Sequence, residues 1–232
     1  MALRIANGAN FNHVGEGVLE ALVFYRLRAL ALSIDGASEG TYAIYRRRGR
    51  FARVMENVSR LVELKRQYGA DEPRLTWQFV VFGHNEHEIP TARALAESLG
   101  MDFRVKLSWD DDFSPVRDAG FVRRTAGLPA ATRAEYRQKA GRNYVGHSFC
   151  LQLWDQPQIN WDGKVLGCCR NFWGDFGGNA FRDGIDAAVN HDKMAHARAM
   201  LRGKAPPRAD IPCTTCELYL EMAEDGRWLE RE

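Results

Sequence analysis

The first 149 residues of this 232-residue chain contain no cysteine; all five, Cys150, Cys168, Cys169, Cys213 and Cys216, come after that point. Thiol ligation and thiol nucleophiles are therefore excluded from the N-terminal part. An excess of either charge is also lacking, with 32 Lys and Arg against 30 Asp and Glu and a formal net charge of +2. Nothing in that balance marks a nucleic-acid or anionic-membrane footprint, so neither is expected as a partner. The longest apolar runs, such as VLEALVFY and ALALSI, fall far short of the roughly 20 residues that span a bilayer. The start MALRIANGANF has no basic segment followed by an apolar core. There are no solenoid-type repeats and no low-complexity tract. The expected location is the cytoplasm. There, an odd number of cysteines including a C-x2-C pair favours reduced thiols that bind metal over a disulfide framework.

With 45% apolar residues, the chain can bury a sizeable core. The segments LRIAN (3–7), RALALSI (28–34), LTWQFVVF (75–82) and DFRVKLSW (102–109) read as strands, near-continuously apolar as in sheets covered on both faces. Between them lie helical patterns. VLEALVFYR aligns Val18, Leu19, Leu22 and Val23; FARVMENVSRLVELKRQY aligns Val54, Met55, Val58, Leu61 and Val62; EIPTARALAESLG ends at Gly100 as a C-cap. The order βαβαβαβ predicts an α/β fold with a parallel sheet and right-handed crossovers over 1–109. Residues 110–145 read as a charged connector with one helix opened by the capping box Thr132-x-x-Glu135. Residues 146–232, rich in Gly, Trp and Cys, form a small second domain with a helix near 184–202. Four parallel strands do not close a barrel, and the first is left as an open edge.

Ligands in parallel α/β folds sit beyond the C-terminal ends of the strands. Those ends carry Asn7-Gly8, Ser33, Asp35-Gly36, His84-Asn85 and Ser108-Trp109-Asp110. Turn formation is the competing explanation for Asn-Gly and Asp-Gly. Pro90 is tolerated only in a first helical turn, which starts the helix near Glu88 and leaves His84 and Asn85 in the loop. The segment GASEGTYAIYRRRGRF reads as a polar loop with four arginines, either solvated or supplying one guanidinium to a carboxylate or phosphate.

Cys150, Cys168, Cys213 and Cys216 form C-x12-G-x4-C followed by C-x2-C. Four thiolates suit either a tetrahedral zinc or a 4Fe-4S cluster, and spacing leaves both open. A catalytic cysteine is disfavoured because no histidine is locally paired with one; His147 nearby reads as a surface residue. A turn at Asp162-Gly163 with KVLG extended would point Cys168 and Cys169 to opposite sides, one as ligand and the other packed as a small apolar residue.

Together, SIDGASEGTYAIYR, GRFARVMENVSRLVELK and FVVFGHNEHEIPTARALAESLGMDF resemble the second half of a radical SAM domain. CLQLWDQPQINWDGKVLGCCRNFWGDFGGN with IPCTTC resembles its SPASM-type C-terminal extension. The resemblance covers nearly the whole chain in family order and implies a partial (β/α) barrel of about four strands followed by a small Cys-rich SPASM-type domain. It implies that Asn7, Ser33 and Asp35 line an S-adenosylmethionine pocket, with Arg46 near the methionine carboxylate. It also implies that Cys150, Cys168, Cys213 and Cys216 hold one auxiliary 4Fe-4S cluster. The family's C-x3-C-x2-C loop and its glycine-rich segment are absent, so no catalytic residue is assigned, and whether the chain is itself an enzyme stays open. The expectation is the C-terminal portion of a radical SAM/SPASM enzyme, inactive alone, whose missing N-terminal half is lost or supplied by a second polypeptide. Its substrate would be a peptide or small molecule. The alternatives are an iron-sulfur module for electron transfer or structure, or a zinc-stabilised binding domain.

Overall fold

The computed structural model describes residues 2–142, 144, 149–171 and 173–229. They fall into two compact units, Met1–Tyr144 and Val145–Glu232.

The first unit runs β1 (Arg4–Ala9), α1 (Glu16–Phe24), β2 (Ala29–Ser33), α2 (Glu39–Tyr45), α3 (Phe51–Gln67), β3 (Arg74–Val81), α4 (Ile89–Ser98), β4 (Asp102–Leu107), α5 (Ala119–Ala126) and α6 (Arg133–Ala140). The four strands form one parallel sheet in the order β1-β2-β3-β4. Strand alternation sends Leu30, Leu32 and Ile34, then Leu75, Trp77, Phe79 and Val81, then Val105 and Leu107, into one core. Val54, Val58 and Leu61 of α3 enter the same core with essentially no exposure, each burial contributing about 1.5–3 kcal/mol. The opposite face differs from the expected apolar covering: it carries Ser33, Gln78 and Lys106, and the Lys106 ammonium donates to Gln78 Oε1 at 2.9 Å. β1 is exposed along most of its length, as an edge strand is.

Helix ends follow local chemistry. Pro90 lies in the first turn of α4, where its missing N–H costs nothing. Gly100, at φ +66, ends that helix as Met101 N–H donates to Ala96 O at 2.9 Å. The expected arginine loop begins as a helix instead: Ser38 caps α2, and Tyr42 is buried with its hydroxyl accepting from Asn12 Nδ2 at 2.8 Å. Residues 110–144, expected to be a connector, belong to the first unit. Val122 and Ala131 are buried in its core. Thr132 caps α6 by accepting from Glu135 N–H, while the Glu135 carboxylate takes Ala131 N–H at 2.7 Å.

The second unit comprises α7 (Gln152–Asp155), the antiparallel pair β5 (Gln158–Ile159) and β6 (Val165–Gly167), α8 (Ile185–Val189), α9 (Asp192–Leu201), a 3-10 turn over Pro212–Thr215 and α10 (Glu217–Glu224). Its core gathers Leu153, Val165, Phe176, Met194, Met200, Ile211 and Met222. The single helix expected over 184–202 is broken between α8 and α9. Asn190 takes the Asp186 carbonyl with its own side chain and receives Arg198 Nη1 at 2.9 Å, so its amide competes with the helical ladder. His147 lies outside the described residues. Among the described residues no helix is long and apolar enough to cross a membrane.

Candidate metal centre and strand-end residues

The cysteine site is built on a hairpin. Asn160 N–H donates to Lys164 O at 2.8 Å and Gly163 N–H to Asn160 O at 3.0 Å, which turns the chain between β5 and β6 at the expected Asp162-Gly163. Gly163 has φ +85, and a side chain there would meet Asn179 Oδ1 at 2.4 Å, so both backbone and space require glycine. β6 then ends at Gly167, φ +75, where an added Cβ would lie 2.2 Å from the Phe176 ring. Cys168 N–H folds back onto Leu166 O at 2.9 Å. The extension therefore stops one residue before the paired thiols. Cys168 and Cys169 are both among the residues that line one cavity, Cys168 half-buried and Cys169 exposed.

The other half of the site comes from the chain after α9. Arg208 binds Asp192 at the start of that helix and Asp210 beyond it, each at 2.9 Å, and thereby anchors the segment that leads into Ile211 and Pro212. Pro212 opens the 3-10 turn that carries Cys213, and Cys216 N–H donates to Cys213 O at 3.0 Å. Cys216 then occupies the position just before α10, without a side-chain hydrogen bond to the helix. All five cysteines are among the residues lining a partly open cavity of about 300 Å³, with Phe149, Leu153, Leu218 and Tyr219 beside them. That is many times the ~15 Å³ one water needs, which leaves room for a body of several atoms.

Burial governs the thiols. It pushes Cys150 up, raises Cys168 to about 11 and raises Cys213 further still, the last reinforced by Cys150, Cys168 and Cys216 around it. These three are protonated at neutral pH, and a metal or cluster that takes them as thiolates must displace their protons. Cys213 is buried, Cys150, Cys168 and Cys216 are half-buried, and Cys169 is exposed with its Sγ 3.6 Å from Gln152 Oε1. Among the described residues no group of three or more His, Cys, Asp or Glu is arranged for a single metal ion. An all-thiol donor set around a multi-atom cavity fits an iron-sulfur cluster.

In the first unit, Asp35 and Arg46 come together at the strand ends, with Arg46 Nε donating to Asp35 Oδ2 at 2.6 Å. Asp35 is fully buried, and its Oδ1 accepts Val80 N–H at 2.7 Å. It therefore holds Arg46 rather than facing a ligand. Burial raises its pKa against the lowering effects of Arg46 and the Val80 N–H. Ser33 is buried against Gln78, whose Nε2 lies 3.4 Å from Ser33 Oγ. Gly8 approaches so closely that a Cβ would stand 2.0 Å from Ser33 Oγ. Asn7 lies exposed on β1.

His84 and Asn85 are not the open loop residues expected. Asn85 is completely buried, donating to Asp35 O at 3.1 Å and Val80 O at 2.9 Å while accepting Phe82 N–H at 2.7 Å. His84 stacks on Phe82 at 5.3 Å, and its Nδ1 lies 2.8 Å from Ser114 Oγ. Two residues of this segment were not singled out from the sequence. Glu86 accepts the backbone N–H groups of Arg117 and Asp118, and Glu88 accepts from Ala37 N–H and Ser38 Oγ. The signal available was two glutamates within three residues of a strand-end Asn. The run GHNEHE thus fixes the loops after β2 and β4 to the end of β3.

Residues 150–217 match the family model for SPASM, described as an iron-sulfur cluster-binding domain. The matched residues lie within the second unit, which in sequence follows the α/β unit with its four-stranded parallel sheet. No curated protein matches the chain. Among solved structures, the chain matches SuiB of Streptococcus suis bound to precursor peptide SuiA, at 12% identity and a TM-score of 0.45 over 90% of this chain. The chain spans about half, 51%, of SuiB.

Proposed function

We propose that this chain is the C-terminal portion of a radical SAM/SPASM enzyme and that it binds one auxiliary 4Fe-4S cluster through Cys150, Cys168, Cys213 and Cys216. The observation that carries this reading is the gathering of every cysteine of the chain around one cavity within the segment that matches SPASM. When bound, such a cluster supplies one-electron transfer or an anchor for substrate. To bind it the cysteines would release their thiol protons to solvent, Phe149 and Leu153 would line the cavity with apolar surface, and the hairpin and the Arg208 pairs would hold the two cysteine segments in place.

In the proposed intact enzyme, S-adenosylmethionine is cleaved reductively and hydrogen is abstracted from a peptide or small-molecule substrate. Arg46, aimed by Asp35, would receive the methionine carboxylate, with Asn7 and Ser33 beside it. No cysteine precedes Cys150, so the chain alone offers no C-x3-C-x2-C loop and would not cleave S-adenosylmethionine. That loop would come from a missing N-terminal half or a second polypeptide. The cytoplasm, where thiols stay reduced, is the proposed setting.

Anaerobic reconstitution with iron and sulfide tests the reading. About four irons and four sulfides per chain, with broad visible absorption, are expected. Stoichiometric zinc in a colourless protein would instead establish the zinc-stabilised binding domain. Formation of 5′-deoxyadenosine by the purified chain under dithionite would overturn the claim of inactivity.

A further inference from the structure

Four thiolates complete a 4Fe-4S cluster, yet five cysteines are among the residues that line this cavity. The fifth is there for a local reason. Gly167, at φ +75 and pressed against Phe176, ends β6 before Cys168 and turns the backbone, with Cys168 N–H bonded to Leu166 O and Asn171 N–H to Cys168 O. Without the strand's alternation, consecutive side chains no longer point to opposite faces. The Cys169 Sγ lies 3.6 Å from Oε1 of Gln152, itself a cavity-lining residue that follows Cys150 by two at the start of α7. Cys169 is also exposed, whereas Cys168 is half-buried.

We propose that Cys169 is an alternate ligand of the cluster cavity, able to replace Cys168 at the same iron. This rests on the cluster-binding reading above. In the exchange the iron–sulfur bond to Cys168 breaks and one to Cys169 forms. The proton leaving the Cys169 thiol passes to the released Cys168 thiolate, so no electron is gained or lost. The adjacent pair therefore gives one corner of the site two interchangeable thiolates, while Cys150, Cys213 and Cys216 have no neighbouring substitute.

Iron and sulfide content after anaerobic reconstitution, with the electron paramagnetic resonance of the reduced cluster, tests this in four proteins: wild type, Cys168→Ser, Cys169→Ser and the double variant. Wild type and Cys169→Ser are expected to load fully. Cys168→Ser should keep most of its iron with a shifted spectrum, and the double variant should lose it. A wild type that takes up no iron and sulfide removes the cluster-binding reading and this inference together. A loaded wild type beside a Cys168→Ser protein as empty as the double variant overturns this inference alone. Because a variant can fail by misfolding, the wild type supplies a second measurement. Iodoacetamide labelling followed by mass spectrometry should modify Cys169 less in the loaded than in the cluster-free protein; equal labelling in both would also overturn it.

Discussion

Asp35 holds the guanidinium of Arg46 through Nε at 2.6 Å from a position with no solvent exposure. The ion pair is asymmetric, since Arg46 keeps 28% of its side chain exposed while Asp35 keeps none. Beside that anchor, the Arg46 guanidinium carbon lies 5.2 Å from the centroid of the Tyr45 ring. Asp35 is thus a positioning residue.

Burial raises the Asp35 pKa above its unfolded value, so the folded state binds the extra proton. The stability this contributes is fully present below the unfolded pKa, near 3.9, and is lost as pH rises through the folded value. Asp35→Asn should therefore gain on wild type as pH increases from about 4, by at most about 1.4 kcal/mol per pH unit. Urea unfolding of both proteins between pH 4 and 8 checks this, and parallel stability curves would refute it.

Asn85→Ala removes three hydrogen bonds and strands the carbonyls of Asp35 and Val80 and the N–H of Phe82 in the interior. A loss of about 3 kcal/mol or more is expected, since each of the three unsatisfied buried groups costs about 1–3 kcal/mol. Urea denaturation followed by tryptophan fluorescence reads the change. A loss below 1 kcal/mol would mean that water replaces the amide.

Gly167→Ala forces an L-residue to φ +75 and brings a methyl group to 2.2 Å from the Phe176 ring. The turn that places Cys168 and Cys169 should shift, with a fall in iron content on reconstitution and a destabilisation of about 1–3 kcal/mol. Gly203→Ala, a substitution at φ +66 distant in sequence from the paired thiols, is the control. If both variants load equally with wild type, Gly167 does not set the cysteine geometry.

The pair with Arg208 lowers the Asp210 pKa to about 2. A depressed folded value contributes stability above the unfolded pKa that disappears as pH falls toward 2. Carbon-13 NMR titration should find the Asp210 carboxylate midpoint near 2 in wild type and close to the ordinary value of about 3.9 in Arg208→Ala. A midpoint unmoved by the substitution would show that Arg208 does not clamp the segment before Cys213.

Much of the first unit was legible because its strands and helices carry strong periodic signals. The runs at 75–82 and 102–109 became β3 and β4 within two residues, and Pro90 and Gly100 marked the two ends of α4. The break at Asn190 was not legible, since the same Asn is compatible with a helix until its side chain finds the Asp186 carbonyl. His84 and Asn85 were read as free because sequence shows a loop but not what packs on it. Glu86 and Glu88 escaped notice because their partners, Arg117, Asp118, Ala37 and Ser38, lie some 30 to 50 residues away.

The sequence by itself determined the parallel α/β character of the first unit, the confinement of all thiol chemistry to the second, and the spacing C-x12-G-x4-C…C-x2-C that resembles SPASM. These are properties of residue type and short-range order. Only the tertiary structure decided that Asp35 faces Arg46 and Val80 instead of a ligand, because burial depends on which strand end packs beside it. It also decided that Cys168 and Cys169 share one cavity. That outcome turns on a single backbone torsion at Gly167, imposed by the ring of Phe176, and no pattern of neighbouring residues encodes that contact.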